Sequence, residues 1–92
     1  MYHVYILRCS DSSLYVGYTT DIEARIRAHN LGRGAAHTFK RRPVRLVYSE
    51  PHPMRLAAVR REHQLKHWTR AKKEALIRGN LALLKRLSKR RN

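Results

Sequence analysis

The sequence has a single cysteine, Cys9, which excludes an internal disulfide framework and fits a reducing compartment. It has no long apolar run, so no transmembrane helix is expected. It has no apolar segment of the secretory kind near its start, so a cytoplasmic protein is expected. There is no Cys-x-x-Cys pair and no glycine-rich phosphate cradle, and the serines lack any triad context. His63 and His67 stand four apart, but no third ligand has the spacing of a zinc site. Internal repeats and low-complexity tracts are absent. Acidic side chains are scarce, with 6 Asp+Glu against 21 Lys+Arg and a net charge of +15.

That charge is unevenly placed. Residues 1–30 hold three basic and three acidic side chains, leaving 18 and 3 of the totals for residues 31–92. A chain this basic needs a polyanion, with nucleic acid the first candidate and an anionic membrane the second. The membrane reading is disfavoured, because the charge is not confined to one amphipathic helix. At 92 residues with 42% hydrophobic content, one domain with one modest core is expected.

Two short runs near the start, His3-Val4-Tyr5-Ile6 and Leu14-Tyr15-Val16-Gly17, are β-branched and aromatic, with Ser10, Asp11, Ser12 and Ser13 between them. They read as a hairpin. A two-residue loop at Asp11-Ser12 would pair Tyr5 with Tyr18 and send Tyr15 to the opposite face. A three-residue loop, Ser10 to Ser12, makes Tyr5 and Tyr15 co-facial, because side chains alternate along a strand. Thr20-Asp21-Ile22-Glu23 then reads as a capping box opening a helix to about Leu31, with Gly32 at its end. Ile22 and Ile26 mark the buried stripe of that helix. At about 100° per residue, Arg25 and His29 fall within the stripe. An inward guanidinium needs a partner, either Asp21 one turn earlier or an anionic ligand.

Residues 33–43 read as a loop in which Arg33, Lys40, Arg41 and Arg42 suit a nucleic-acid backbone clamp, with Phe39 read as plugging the core rather than stacking on a base. A third strand is expected over Val44–Tyr48, stopped by Pro51, and Pro53 is expected to open the next helix. Met54, Ala58 and Leu65 mark its stripe, and Glu62 lies on it. An inward carboxylate is rare unless paired or metal-bound; Arg61, Lys66 and Arg25 are the available partners. Thr69 is expected to cap a helix over Arg70–Arg78 that ends at Gly79. Trp68 is expected to pack rather than to stack on a base. Lys66 and Arg70 extend the basic surface, and residues 81–92 read as a basic helical tail appended to a domain of residues 1–80.

The ordered set Tyr5, Tyr15, Gly17, Arg25, His29 and Glu62 resembles the GIY-YIG nuclease signature. Ten residues separate the tyrosines, Arg25 follows Gly17 by eight, and His29 follows Arg25 by four. The resemblance is closest to the small stand-alone bacterial members and covers roughly residues 2–78. His3 and Val4 replace the glycine and isoleucine of the name, and Val16 replaces an isoleucine. Ser12 stands where relatives often have glycine, so a slightly strained turn is expected.

The resemblance implies an α/β (α+β) fold with a small three-stranded antiparallel sheet flanked by helices. It implies a metal-dependent endonuclease hydrolysing phosphodiesters of DNA, expected to be structure- or strand-selective rather than sequence-specific, since no added recognition domain is visible. It implies a single divalent cation, Mg²⁺ or Mn²⁺, on Glu62, with Arg25 on the phosphate. It also implies that Tyr5 activates water, helped by cations that lower its pKa, and that Tyr15 and His29 orient these groups. Whether Tyr5 or His29 takes the proton is left open. DNA rather than RNA is the expected partner, and a monomer is expected. The competing reading is a non-catalytic DNA- or RNA-binding module that keeps the fold; Glu62 argues against it, since a pure binder has no use for an inward carboxylate beside a polyanion.

Overall fold

A computed structural model describes residues 1–89. The elements run β1 (Tyr2–Arg8), β2 (Leu14–Thr19), α1 (Ile22–Asn30), α2 (Ala36–Phe39), β3 (Arg45–His52), α3 (Arg55–Lys66), α4 (Arg70–Arg78) and α5 (Leu81–Lys89). The strands form one antiparallel sheet in the order β2-β1-β3.

The central strand explains the two layers. Val4, Ile6, Tyr5 and Leu7 are all buried, so β1 lacks the alternation of a half-exposed strand and is covered on both faces. Its even positions, Val4 and Ile6, join Val16, Ala58 and Leu65 in a core beneath α3, with Trp68, Leu76 and Ile77 packed against it. Its odd positions, Tyr5, Leu7 and Cys9, join Val44, with Tyr15 and Ile26 of α1 alongside. Burying a side chain such as Leu65 contributes about 1.5–3 kcal/mol.

The hairpin register settles the tyrosine question. Arg8 pairs with Leu14 and Tyr5 with Gly17, so Ser10, Asp11 and Ser12 form the loop and Tyr5 and Tyr15 share a face. Ser12 has φ 70, the left-handed conformation that favours glycine, as expected from the residue usually found there.

Several local expectations are corrected. Asp21, not Thr20, caps α1, accepting from the Ala24 N–H. With its carboxylate committed there, Asp21 makes no ion pair with Arg25 among the described residues. α1 ends in paired bonds from Gly32 N–H to His29 and Arg33 N–H to Ala28, with Gly32 at φ +84. Within residues 33–43, where a loop is expected, lies the single turn α2. β3 runs through Pro51 to His52, because it is an edge strand, where a missing N–H is tolerated. It also carries a bulge opposite Ile6 and Leu7. Met54 is the α3 N-cap and is exposed, so it leaves the stripe that Ala58 and Leu65 keep, and Pro53 precedes the cap.

α4 matches its expected bounds, with the Thr69 hydroxyl accepting from Lys72 N–H and Gly79 at φ 69. Arg8 makes a bidentate ion pair with Glu74, 2.8 and 2.9 Å, tying α4 to the hairpin. α5 packs against α4, and the part of the expected tail over residues 90–92 lies outside the described residues.

Candidate active site

The odd face of the sheet brings Tyr5, Tyr15, Arg25 and His29 together. Tyr5 extends from β1 across Gly17, where a Cβ would lie 2.5 Å from the phenol oxygen. The glycine therefore makes room for the tyrosine. The Tyr5 hydroxyl lies 3.1 Å from His29 Nε2, and both residues are buried. Tyr15 meets the His29 ring edge-on at 5.2 Å between centroids.

Thr38, from α2, completes this group and was not singled out in the sequence. Its hydroxyl is 2.8 Å from His29 Nδ1 and donates to the Ala35 carbonyl at 3.1 Å. A threonine hydroxyl has one proton. With that proton on Ala35, Thr38 must accept from His29 Nδ1–H, which leaves Nε2 of the neutral ring as an acceptor. Tyr5 O–H then donates to His29. His37, the other residue not foreseen here, stacks on Tyr15 at 6.0 Å and lies 3.1 Å from the Ser13 hydroxyl. Neither residue had a sequence signal, since a one-turn helix shows no periodicity.

The electrostatics agree with this proton arrangement. Burial raises the Tyr5 phenol above its ordinary 10.0, and the adjacent Arg25 guanidinium only partly offsets this. The expectation that cations would make Tyr5 acidic is thus not met by Arg25 alone. Burial, reinforced by Arg25, lowers His29 below 6.5. Near neutral pH the pair is therefore a protonated phenol and a neutral imidazole.

Arg25 Nε is buried and has no hydrogen-bond partner. Glu62 comes from the other layer, on α3, and its charge reaches the Tyr5 phenol. Its carboxylate is 12% exposed and pairs with Lys66 at 3.0 Å, while Lys66 itself is 46% exposed. No group of three or more His, Cys, Asp or Glu residues converges among the described residues. A caged metal does not fit here. A cation that keeps most of its water and takes one carboxylate does fit Glu62.

The expected clamp is partly committed to the protein itself. Arg41 pairs with Asp11 at 2.9 Å and donates to the His37 carbonyl. Ser13 and Arg41 together hold the Asp11 carboxyl at about 2. Arg42 donates to the Phe39 and Asn30 carbonyls and lies over the Phe39 ring. Arg70 bonds Ser12 O and Glu74. Arg33 and Lys40 are exposed and form no ion pair among the described residues. Trp68 packs at the core edge beneath Arg61 and Lys72, as expected. His67 bonds the His63 carbonyl, in keeping with a structural pair.

A buried tyrosine–histidine pair beside an arginine with a buried, unpartnered Nε, on a three-stranded sheet with a glutamate from the α3 layer, is the arrangement of a GIY-YIG-type domain. The model of the GIY-YIG catalytic domain matches residues 1–75, and the chain belongs to the GIY-YIG family. It is similar to the UPF0213 protein HQ_3675A of Haloquadratum walsbyi, 55% identical over 75 residues, covering 82% of this chain and 84% of the relative. It is similar also to a UPF0213 protein of Staphylococcus aureus, 51% identical over 75 residues, covering 82% and 92%. Among solved structures it resembles the UPF0213 protein BH0048 of Bacillus halodurans, with TM-score 0.55 and 47% identity over 84% of this chain and 83% of that one. EF2693 of E. faecalis gives TM-score 0.60 and 38% identity, covering 88% and 86%. α5 lies beyond the matched domain. No described helix is long and apolar enough to cross a membrane.

Proposed function

We propose that this protein is a metal-dependent endonuclease that hydrolyses phosphodiester bonds of DNA, selective for structure or strand rather than for sequence. The observation that carries the reading is the Tyr5–His29–Thr38 chain beside the buried, unpartnered Nε of Arg25. Arg25 is placed to donate to non-bridging phosphate oxygens, which would supply the partner its Nε lacks. An attacking water gives its proton to the Tyr5 oxygen while the Tyr5 proton moves to His29 Nε2. The new P–O bond forms from the water oxygen, and the bond to the leaving oxygen breaks. His29 is thus the terminal base and Tyr5 the relay. Tyr15 holds the edge of the imidazole.

Glu62 would hold Mg²⁺ or Mn²⁺, which when bound offsets charge on the phosphate and the leaving oxygen. Arg33 and Lys40 supply free cations for the backbone of the nucleic acid, with Lys66 and Arg70 adding to the field. The test is cleavage of end-labelled single-stranded, duplex and branched DNA with Mg²⁺, Mn²⁺ or EDTA. Cleavage with metal and none with EDTA is expected. Binding without cleavage under every metal condition would instead leave a nucleic-acid-binding module.

A further inference from the structure

An open cleft of about 470 Å³ lies outside the Tyr5–His29 pair, lined by Arg33, Gly34, Ala36, Phe39 and Lys40. The loop that lines it is the loop that packs on the active site: a Cβ on Gly34 would collide with the His29 ring. The cleft and the imidazole are therefore two sides of one stretch of backbone.

Phe39 is the feature in it that core packing does not explain. It is 49% exposed and joins neither hydrophobic cluster. Its ring edge rests on Gly32, and the Arg42 guanidinium sits 4.8 Å from its centroid. Arg42 is itself fixed by two carbonyls, so the ring is held in place rather than left to swing. The other large apolar side chains that are exposed, Met1, Leu31, Leu46, Met54, Leu56 and Leu81, are all non-aromatic. Among the exposed large apolar side chains of the described residues Phe39 is the one aromatic ring, and Arg33 and Lys40 flank it without ion-pair partners among the described residues.

A held aromatic ring between free cations is the chemistry that receives an unpaired nucleobase. The ring stacks on the base, and the cations take the flanking phosphates. A base paired inside a duplex keeps both faces covered by its neighbours and cannot offer one to the ring. We propose that this cleft is a subsite for one unpaired nucleotide of single-stranded DNA next to the scissile phosphate, with Phe39 as its stacking platform. The proposal rests on the nuclease reading for its position and names the strand preference of that site.

The test reads binding, so it does not depend on cleavage. Fluorescence anisotropy in EDTA would compare a single-stranded DNA 12-mer with a blunt-ended 12-base-pair duplex, for wild type, Phe39→Ala and Phe39→Trp. Phe39→Ala is expected to weaken single-strand binding by about ten-fold, within the range of one base–aromatic stack, and to leave duplex binding within about two-fold. Phe39→Trp is expected to restore it. A 2-aminopurine in the 12-mer is expected to be quenched by wild type and not by Phe39→Ala. Circular dichroism confirms that the variant is folded, which the exposure of Phe39 favours. Equal loss on both DNAs, no loss on either, or a wild type that does not bind the single strand would overturn the proposal. If the nuclease reading fails instead, wild type cleaves nothing in Mg²⁺ while the Phe39-dependent binding persists.

Discussion

The Tyr5 hydroxyl lies 3.1 Å from His29 Nε2, and the proton between them is assigned from the far side of the imidazole. Thr38 gives its own proton to the Ala35 carbonyl and so obliges His29 Nδ1 to carry one. The tautomer of His29 is thus set by Thr38, whose hydroxyl bonds are to His29 and the Ala35 carbonyl.

Replacing Thr38 tests this. Thr38→Val removes the acceptor while keeping the volume, which frees the imidazole to take the other tautomer. A fall in cleavage rate of about 10²-fold is expected, the lower end of what general base catalysis supplies. A stability loss of about 1–3 kcal/mol is expected from the buried His29 Nδ1 left without its hydroxyl partner. Thr38→Ser is expected to restore most of the rate. Single-turnover kinetics and urea melts separate the two effects.

Gly17 is a matter of space rather than of backbone strain. A Cβ there would lie 2.5 Å from the Tyr5 phenol oxygen. Gly17→Ala is expected to cost about 1–3 kcal/mol by overpacking and to reduce cleavage by displacing the phenol from His29. A variant that melts and cleaves like wild type would show that the ring is free to move aside.

The pH response follows from two shifted groups. His29 is held below 6.5 by burial and Arg25, and Tyr5 above 10.0 by burial. The acid limb of kcat/KM is therefore expected below 6.5, with no alkaline fall from Tyr5 until above 10.0. Because the folded His29 binds its proton more weakly than the unfolded one, its contribution to stability is complete above 6.5 and is lost as the pH falls through its lowered value. An acid limb centred above 6.5 would contradict the assignment of His29 as the base.

Glu74 governs stability at lower pH. The bidentate bond from Arg8 holds its carboxyl at about 2, against an ordinary 4.5. Its stabilising contribution is present above 4.5 and is lost between there and about 2. Glu74→Gln is expected to lower the melting temperature at neutral pH and to flatten its fall over that acid range, as followed by circular dichroism.

Much of this was legible in the chain. The alternation and the turn formers marked the hairpin and allowed both phenols on one face, but a two-residue loop fitted the same residues and the strand register chose the three-residue one. Thr69 and Gly79 marked both ends of α4, because a hydroxyl cap and a left-handed glycine are local signals. Thr38 was not legible, since α2 is too short to show a helical period and its bond to His29 is tertiary. Thr20 and Asp21 are both good caps, and only the folded geometry chose between them. Pro51 was read as a stop because the edge position of β3 is a property of strand order, not of its own residues. Arg41 looked free for a ligand because its partner, Asp11, lies 30 residues away.

The central claim is that Glu62 serves a metal at a phosphodiester, and the comparison of wild type with Glu62→Gln tests it most directly. Lys66, the ion-pair partner of Glu62, is 46% exposed, so the variant strands no buried cation and a stability change under about 1 kcal/mol is expected. Both proteins would be given labelled branched DNA with Mg²⁺, and cleavage, DNA binding and melting would be measured on the same samples. The expected result is cleavage by wild type, a loss of about 10³-fold or more in Glu62→Gln, and unchanged or tighter DNA binding at a near-normal melting temperature. A Glu62→Gln protein that still cleaves in Mg²⁺ at the wild-type rate would contradict the account.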